Sequence, residues 1–181
     1  MPRLIHLNGP SGVGKSTIAQ LYVDRHAGVL NLDTDQIVSL IGGWQDDFWV
    51  ALRAGRALAI AMAETHLRAG HDVVMPQLTT RFEEIEGFEA AAERAGAQYR
   101  EIVLTVAKPR MLDRFAGRVT GEHEARHRRM DEIVTRGGGQ KLLERIHDHL
   151  TAYLATRPDC RVLPTDGLTP EETYAEVIRL R

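Results

Sequence analysis

The stretch GPSGVGKS, residues 9–16, decides the fold because it has the pattern Gly-x4-Gly-Lys-Ser. The apolar run before it, 4–8, is typical of a short buried strand, and residues 17–23 after it have the spacing of an amphipathic helix. In such a loop the glycines let backbone N–H groups point at an anion, and the start of the helix adds positive potential. The stretch therefore predicts a strand–loop–helix unit that binds the phosphates of a nucleotide.

The positions of this Walker A motif have distinct expected roles. Lys15 would bridge the β- and γ-phosphates, and the hydroxyl of Ser16 would bind the Mg²⁺ that accompanies a triphosphate. We expect nucleotide contacts from the residues that form the turn and open the helix: Gly9, Ser11, Gly12, Val13, Gly14, Lys15, Ser16 and Thr17. The motif does not say whether water, a protein or a metabolite receives the phosphoryl group.

Strand and helix patterns alternate after the loop. Further strands are predicted at 29–33, 71–75, 100–106 and 160–163, and helices at about 44–68, at 83–95, from Pro109, at 140–155 and from Thr169. Such an alternation implies an α/β fold with a mainly parallel sheet, helices on both faces and right-handed crossovers. With 181 residues, 43% of them hydrophobic, the chain is long enough for one core.

Composition and charge limit the partners. The 23 basic and 25 acidic residues give a formal net charge of -2, so there is no general attraction to nucleic acid or to an anionic membrane. The apolar start is too short for a signal peptide, and no segment approaches the length that spans a bilayer. We therefore expect a cytoplasmic protein, either a monomer or a homodimer.

Two carboxylates follow the second predicted strand. Asp33 and Asp35 flank Thr34 at the carboxyl end of that strand, where open α/β sheets place their ligands. In a phosphoryl transfer one carboxylate can hold hydrated Mg²⁺, and the other can orient and deprotonate the attacking hydroxyl. Alternatively, Asp35 or Thr34 caps the helix that follows. Capping and catalysis do not exclude each other.

The order of these pieces, the loop at 9–16 followed by LDTD at 32–35, resembles the small P-loop kinases. These include shikimate kinase, gluconate kinase, adenylylsulfate kinase, chloramphenicol phosphotransferase and the kinase domain of polynucleotide kinases. The resemblance implies a nucleoside-kinase-like P-loop NTPase fold of three α/β/α layers, with a five-stranded parallel sheet in the order 2-3-1-4-5 and a lid. It also implies that Asp35, the second acid of Asp-x-Asp, is the general base toward the acceptor hydroxyl.

The third predicted strand departs from many relatives. No acid follows its apolar run, which reads VVMPQ at 73–77. Shikimate and gluconate kinases are similar in lacking that acid, so Mg²⁺ would depend on Ser16 and, through water, on Asp33. Gln77 then stands at the end of the strand, available to a polar substrate, although plain turn chemistry is the alternative.

The region between the second and third strands is expected to supply the helices of the acceptor pocket. Trp49, Arg53 and Arg56 fall at i, i+4 and i+7, so one helical face could present an aromatic wall and two cations. A core position is the alternative for Trp49. The resemblance to shikimate kinase, which has an acceptor-binding arginine on the corresponding helix, favours Arg53 as a substrate-binding residue.

The segment at about 114–139 interrupts the alternation with dense charge and a run of three glycines. Arg114 and Arg118 are four residues apart and share a helical face. In the kinases that the chain resembles, a lid of this kind closes over ATP. That implies a catalytic role for Arg118 and nucleotide binding for Arg114, whereas a solvated face is the alternative. The single domain, 1–181, would then have a core (1–113 and 140–181), acceptor helices (about 36–69) and this lid.

Together these features predict an ATP- and Mg²⁺-dependent phosphotransferase that acts on a hydroxyl of a small molecule such as a sugar acid or an antibiotic. Lys15, Asp35 and Arg118 are the predicted catalytic residues. Two alternatives stay open. A 5′-hydroxyl polynucleotide kinase would need a basic path for a strand, for which the sequence offers only the charged segment at 114–139. A nucleotide-gated regulatory protein would bind ATP without transfer, and Asp-x-Asp argues against it.

Overall fold

The computed structural model describes residues 1–116, 138–158 and 160–181, and strands and helices alternate along them. The strands are β1 (Arg3–Asn8), β2 (Leu30–Asn31), β3 (Val73–Met75), β4 (Gln98–Thr105) and β5 (Arg161–Pro164). The helices are α1 (Lys15–Arg25), α2 (Thr34–Val38), α3 (Phe48–Arg68), α4 (Phe82–Arg94), α5 (Lys108–Ala116), α6 (Gln140–Thr156) and α7 (Pro170–Leu180).

The strands form one parallel sheet in the order β2-β3-β1-β4-β5, which confirms the predicted topology. Helices cover both faces. On one face Ile18 of α1 and Val177 of α7 pack against Leu7 of β1, and on the other Ala63 of α3 and Phe88 of α4 pack in a second core. Because β1 is the central strand, the loop that follows it opens in the middle of the carboxyl edge of the sheet.

Most predicted bounds differ from the structure by one or two residues, and at two of them a side-chain cap explains the difference. The second strand ends at Asn31 instead of Asp33, since the Asp33 carboxylate accepts a hydrogen bond from the backbone of Asp35 and turns the chain into α2. The long helix begins at Phe48 instead of Trp44, because the side chain of Asp47 accepts from the backbone N–H of Val50 and starts the helix there.

None of the helices within the described residues is long and apolar enough to cross a membrane. Most of the predicted lid, including Arg118, lies outside the residues that the structure describes. Arg114 belongs to the described part, near the end of α5.

Candidate active site at the carboxyl edge of the sheet

The phosphate loop joins β1 to α1, and three glycines give it its shape. Gly9, Gly12 and Gly14 have φ values of 140°, 91° and 102°, a region that side chains disfavour. At Gly9 a Cβ atom would lie 2.4 Å from the backbone oxygen of Leu104, whereas at Gly14 it would meet nothing within 4 Å. The loop is therefore packed tightly against β4 at its start and has open space where α1 begins.

Lys15 lies across this loop. Its Nζ donates hydrogen bonds to the carbonyl oxygens of Gly9, at 2.7 Å, and Pro10, at 2.9 Å. Ser16 and Thr17 are exposed in the first turn of α1, and that turn contains no acidic residue. The start of α1 thus combines an ammonium group, two exposed hydroxyl-bearing residues and the positive end of a helix dipole.

Asp33 caps α2, a role that the sequence had suggested for Asp35 or Thr34. Its Oδ1 accepts from the backbone N–H of Asp35 at 3.0 Å, its Oδ2 accepts from the Gln36 side chain at 3.4 Å, and the residue is 6% exposed. Asp35 is half-buried in the first turn of α2. Since β3 separates β2 from β1, the strand that leads to Asp35 and the strand that leads to the phosphate loop are two strand spacings apart, about 10 Å, and both end at the same edge.

Three buried polar atoms in the segments that directly follow β2 and β3 have no hydrogen-bond partner among the described residues: Thr34 Oγ1, Gln77 Oε1 and Thr79 Oγ1. Thr34 opens α2, and the other two residues follow β3. Buried polar side chains are normally hydrogen-bonded, so a group of such atoms at one place needs an explanation. A polar ligand at the carboxyl ends of β2 and β3 would supply the missing partners.

Gln77 is held by a histidine that the sequence reasoning missed. Nε2 of His6 lies 2.8 Å from the carbonyl oxygen of Gln77, and Nδ1 lies 2.7 Å from the hydroxyl of Tyr99. Burial lowers the pKa of His6, and the charge of Glu101 offsets part of that shift. A neutral ring must donate from Nε2 to the carbonyl and accept from Tyr99 at Nδ1. A polar residue inside an apolar strand was the available signal, because it requires a buried partner.

The three predicted pocket residues on α3 differ in how far they are exposed to solvent. Trp49 is 65% exposed, which excludes the core position for it, and Arg53 is also exposed. Arg56 is the arginine that turns inward, where it pairs with Glu84 of α4 and keeps only 17% of its side chain exposed. Burial lowers the pKa of Arg56, while the charges of Glu84 and Asp35 raise it. Among the described arginines of α3, Arg56 is therefore the one that interacts electrostatically with Asp35.

Arg114 lies at the other end of the same edge. Its guanidinium donates to the hydroxyl and the carbonyl oxygen of Thr165, at 3.4 and 3.3 Å, directly after β5. The Thr165 hydroxyl in turn donates to the carbonyl oxygen of Thr105 at the end of β4. Of the three predicted catalytic residues, Lys15 and Asp35 thus share one edge of the sheet, whereas Arg118 lies outside the described residues.

No protein cage for a metal is present in the described chain: no group of three or more His, Cys, Asp or Glu residues there could hold an ion. The predicted Mg²⁺ ligands, Ser16 and Asp33, are an exposed hydroxyl and a buried capping carboxylate on different strand ends. Mg²⁺ would therefore have to arrive with phosphate oxygens as part of its ligand set.

Comparisons with known proteins agree with this architecture. A family model described as an AAA domain matches residues 4–136. The tunicamycin resistance protein of Deinococcus radiodurans has a similar structure, with a TM-score of 0.62, 14% sequence identity, and coverage of 98% of this chain and 94% of that one. A gluconokinase from Sinorhizobium meliloti gives a TM-score of 0.60 at 16% identity, covering 99% and 93%. No curated protein sequence matches the chain significantly.

Proposed function

The chain belongs to the AAA domain family and has a P-loop kinase-like fold, and on this basis we propose that it is an ATP-dependent phosphotransferase. It transfers the γ-phosphoryl group of ATP to a hydroxyl of a small molecule, with Asp35 as the general base. The observation that carries the proposal is the position of Asp35 beside buried polar atoms without partners, on the same sheet edge as the phosphate loop.

The donor side fits a triphosphate. The space beside Gly14 is open, and Lys15 reaches two carbonyl oxygens of the loop with an ammonium group that a phosphate can take over. Ser16 presents its hydroxyl at the first turn of α1, where Mg²⁺ on a β- or γ-phosphate oxygen would meet it. Bound Mg²⁺ would neutralise charge on the phosphates, and Asp33 would contribute only through water because its oxygens already cap α2.

The acceptor side fits a molecule that carries hydroxyl groups. Gln77 Oε1 can only accept, so its partner must be a donor, and the hydroxyls of Thr34 and Thr79 can act either way. Asp35 would accept the proton of the attacking hydroxyl, and Arg56, which Glu84 holds in place, is the nearby positive charge whose pKa Asp35 raises. Two proteins of similar structure, one named a gluconokinase and the other a tunicamycin resistance protein, suggest a sugar acid or an antibiotic as the acceptor to try first.

Further roles are proposed on sequence grounds. Arg118 would stabilise the transferred phosphoryl group and Arg114 would contact the nucleotide near Thr165. Trp49 and Arg53 would line the outer part of the acceptor pocket, since both are exposed on α3.

The proposal is tested by Asp35→Asn. The variant should bind ATP with unchanged affinity, because Asp35 makes no part of the phosphate loop, and should lose phosphoryl transfer by about 100-fold or more. The measurement is a screen of ATP consumption against a panel of hydroxylated metabolites, followed by kinetics on the best acceptor. Asp24→Asn, an exposed change of the same chemistry on α1, is the matched control and should keep wild-type turnover.

Near-normal turnover of Asp35→Asn would contradict the assignment of Asp35 as the general base. A labelled-ATP assay with a 5′-hydroxyl oligonucleotide belongs in the same screen. Transfer to the oligonucleotide alone would replace the small-molecule acceptor by a nucleic acid, and ATP binding without transfer to any acceptor would favour a regulatory protein.

A further inference from the structure

A buried carboxylate lies beneath the phosphate loop, at Glu101 in the middle of β4. Its side chain is only 2% exposed. Three donors from different parts of the chain converge on it: Nδ2 of Asn8 at 2.8 Å, the hydroxyl of Tyr153 at 2.8 Å from both carboxylate oxygens, and the guanidinium of Arg157 at 3.3 Å. Replacing such a buried ionic group by apolar residues is often neutral or stabilising. Stability alone therefore does not explain why a carboxylate occupies this position.

Asn8 connects this carboxylate to the loop. Its Oδ1 accepts from the backbone N–H of Gly9 at 2.8 Å and of Thr79 at 3.1 Å, and its Nδ2 donates to the Thr79 carbonyl oxygen at 2.7 Å as well as to Glu101. Every donor and acceptor of the amide is therefore used. If the amide were reversed, its NH₂ group would face two N–H donors, so Glu101 helps to fix the orientation in which Asn8 holds the first peptide of the loop.

The other partners hold Glu101 itself in place. Burial and the hydrogen bond to Glu101 raise the pKa of Tyr153, so its phenol stays protonated and donates. Arg157 follows α6 and also donates to Glu89 of α4 at 2.8 Å. The carboxylate is thus fixed from α6 on one side and acts on β1 on the other.

We propose that Glu101 is a positioning residue for nucleotide binding, which it supports by orienting the Asn8 amide that holds the Gly9 N–H at the entrance of the phosphate loop. The inference rests on the proposed nucleotide binding and goes beyond it, since Glu101 touches no part of the expected nucleotide site. Its sequence separation from Asn8, 93 residues, and its place inside a strand gave no motif to find it by.

The test exchanges donor and acceptor between the two residues. Asn8→Asp alone places a second carboxylate against Glu101, and the dissociation constant for a non-hydrolysable ATP analogue should rise about tenfold or more. Glu101→Gln alone leaves one donor of the network facing an amide NH₂, and the constant should rise about threefold to tenfold. In the double variant the Gln amide donates to the introduced carboxylate, whereas the contact of that carboxylate with the Thr79 carbonyl oxygen stays unfavourable, so only part of the affinity lost in Asn8→Asp should return.

Glu89→Gln is the matched control. It removes the negative charge that pairs with Arg157 on the side away from Glu101, in a side chain that is 35% exposed, and should leave the dissociation constant within about twofold of wild type. All affinities are measured on protein that circular dichroism shows to be folded. If Asn8→Asp does not fold, the comparison of Glu101→Gln with Glu89→Gln decides.

Equal affinities in wild type and Glu101→Gln, a double variant no better than Asn8→Asp, or an equal loss in Glu89→Gln would each overturn the positioning role. A wild-type protein that binds no nucleoside triphosphate would instead overturn the proposed function. The wild-type titration therefore separates the two failures.

Discussion

Gly9→Ala should damage both the stability of the protein and its phosphate loop. The new Cβ atom would lie 2.4 Å from the Leu104 carbonyl oxygen, in a backbone conformation with φ of 140°. A residue with a side chain rarely adopts this φ, and holding an alanine there costs about 1–3 kcal/mol. The contact adds about 1–3 kcal/mol, the usual cost of forcing a methyl group into a packed site, because β4 is fixed by β1 and β5 on its two sides.

Gly70→Ala separates these two costs. Gly70 has a φ of 90°, and a Cβ there would meet nothing within 4 Å, so only the conformational cost of about 1–3 kcal/mol applies. Gly14→Ala, with a φ of 102° and the same open space, should lose as little stability as Gly70→Ala. It should nevertheless weaken nucleotide binding, because its methyl group occupies the space beside the start of α1.

Urea unfolding gives the free energies, and a fluorescent ATP analogue gives the affinities. Gly9→Ala should lose about 1–3 kcal/mol more than Gly70→Ala and bind the analogue at least tenfold more weakly. Equal unfolding free energies for the two variants, with unchanged affinity in Gly9→Ala, would refute the account of how the loop is packed.

Two further predictions concern the edges of the site. Burial lowers the pKa of His6 in the folded state, so as the pH falls the unfolded chain takes up a proton before the folded protein does. The free energy of unfolding should therefore decrease below about pH 6.5, by up to about 1.4 kcal/mol per pH unit. Urea midpoints between pH 7.5 and 5.5 should show this slope, and it should shrink in His6→Gln; an unchanged slope there would contradict it. Asp33→Ala should cost about 1 kcal/mol through loss of the α2 cap, whereas Asp33→Asn should cost less, as thermal melts can show. Equal melting temperatures for the two variants would argue against the cap.

The parts of the site that depend on local geometry could be predicted from the sequence. The spacing of residues 9–16 allows one kind of loop, and the βα alternation around it, read with the family resemblance, led to the sheet order that the structure shows. The position of Asp35 at this edge followed from its place after a strand, because parallel strands bring their carboxyl ends to one edge, and its role as the base stays a prediction.

Other parts depend on contacts between distant segments. The choice between Arg53 and Arg56 is made by Glu84, a residue 28 positions further along the chain, which draws Arg56 inward. Helical spacing places both arginines on one face of α3, so it cannot tell which of them turns inward. No local sequence pattern predicts the pairing of Glu101 with Asn8. Glu101 occupies a strand position whose proposed role depends on residues far away in the sequence.

Lys15 is already hydrogen-bonded to two loop carbonyls, so an incoming ligand acquires this lysine by exchange. Neutral carbonyl oxygens are given up for charged phosphate oxygens, and the exchange is favourable in proportion to the negative charge that the ligand brings to that position. A nucleoside monophosphate brings little negative charge to that position, so Lys15 would keep its hydrogen bonds to the carbonyl oxygens of Gly9 and Pro10. The loop should therefore favour nucleoside di- and triphosphates over monophosphates, whatever base the nucleotide carries.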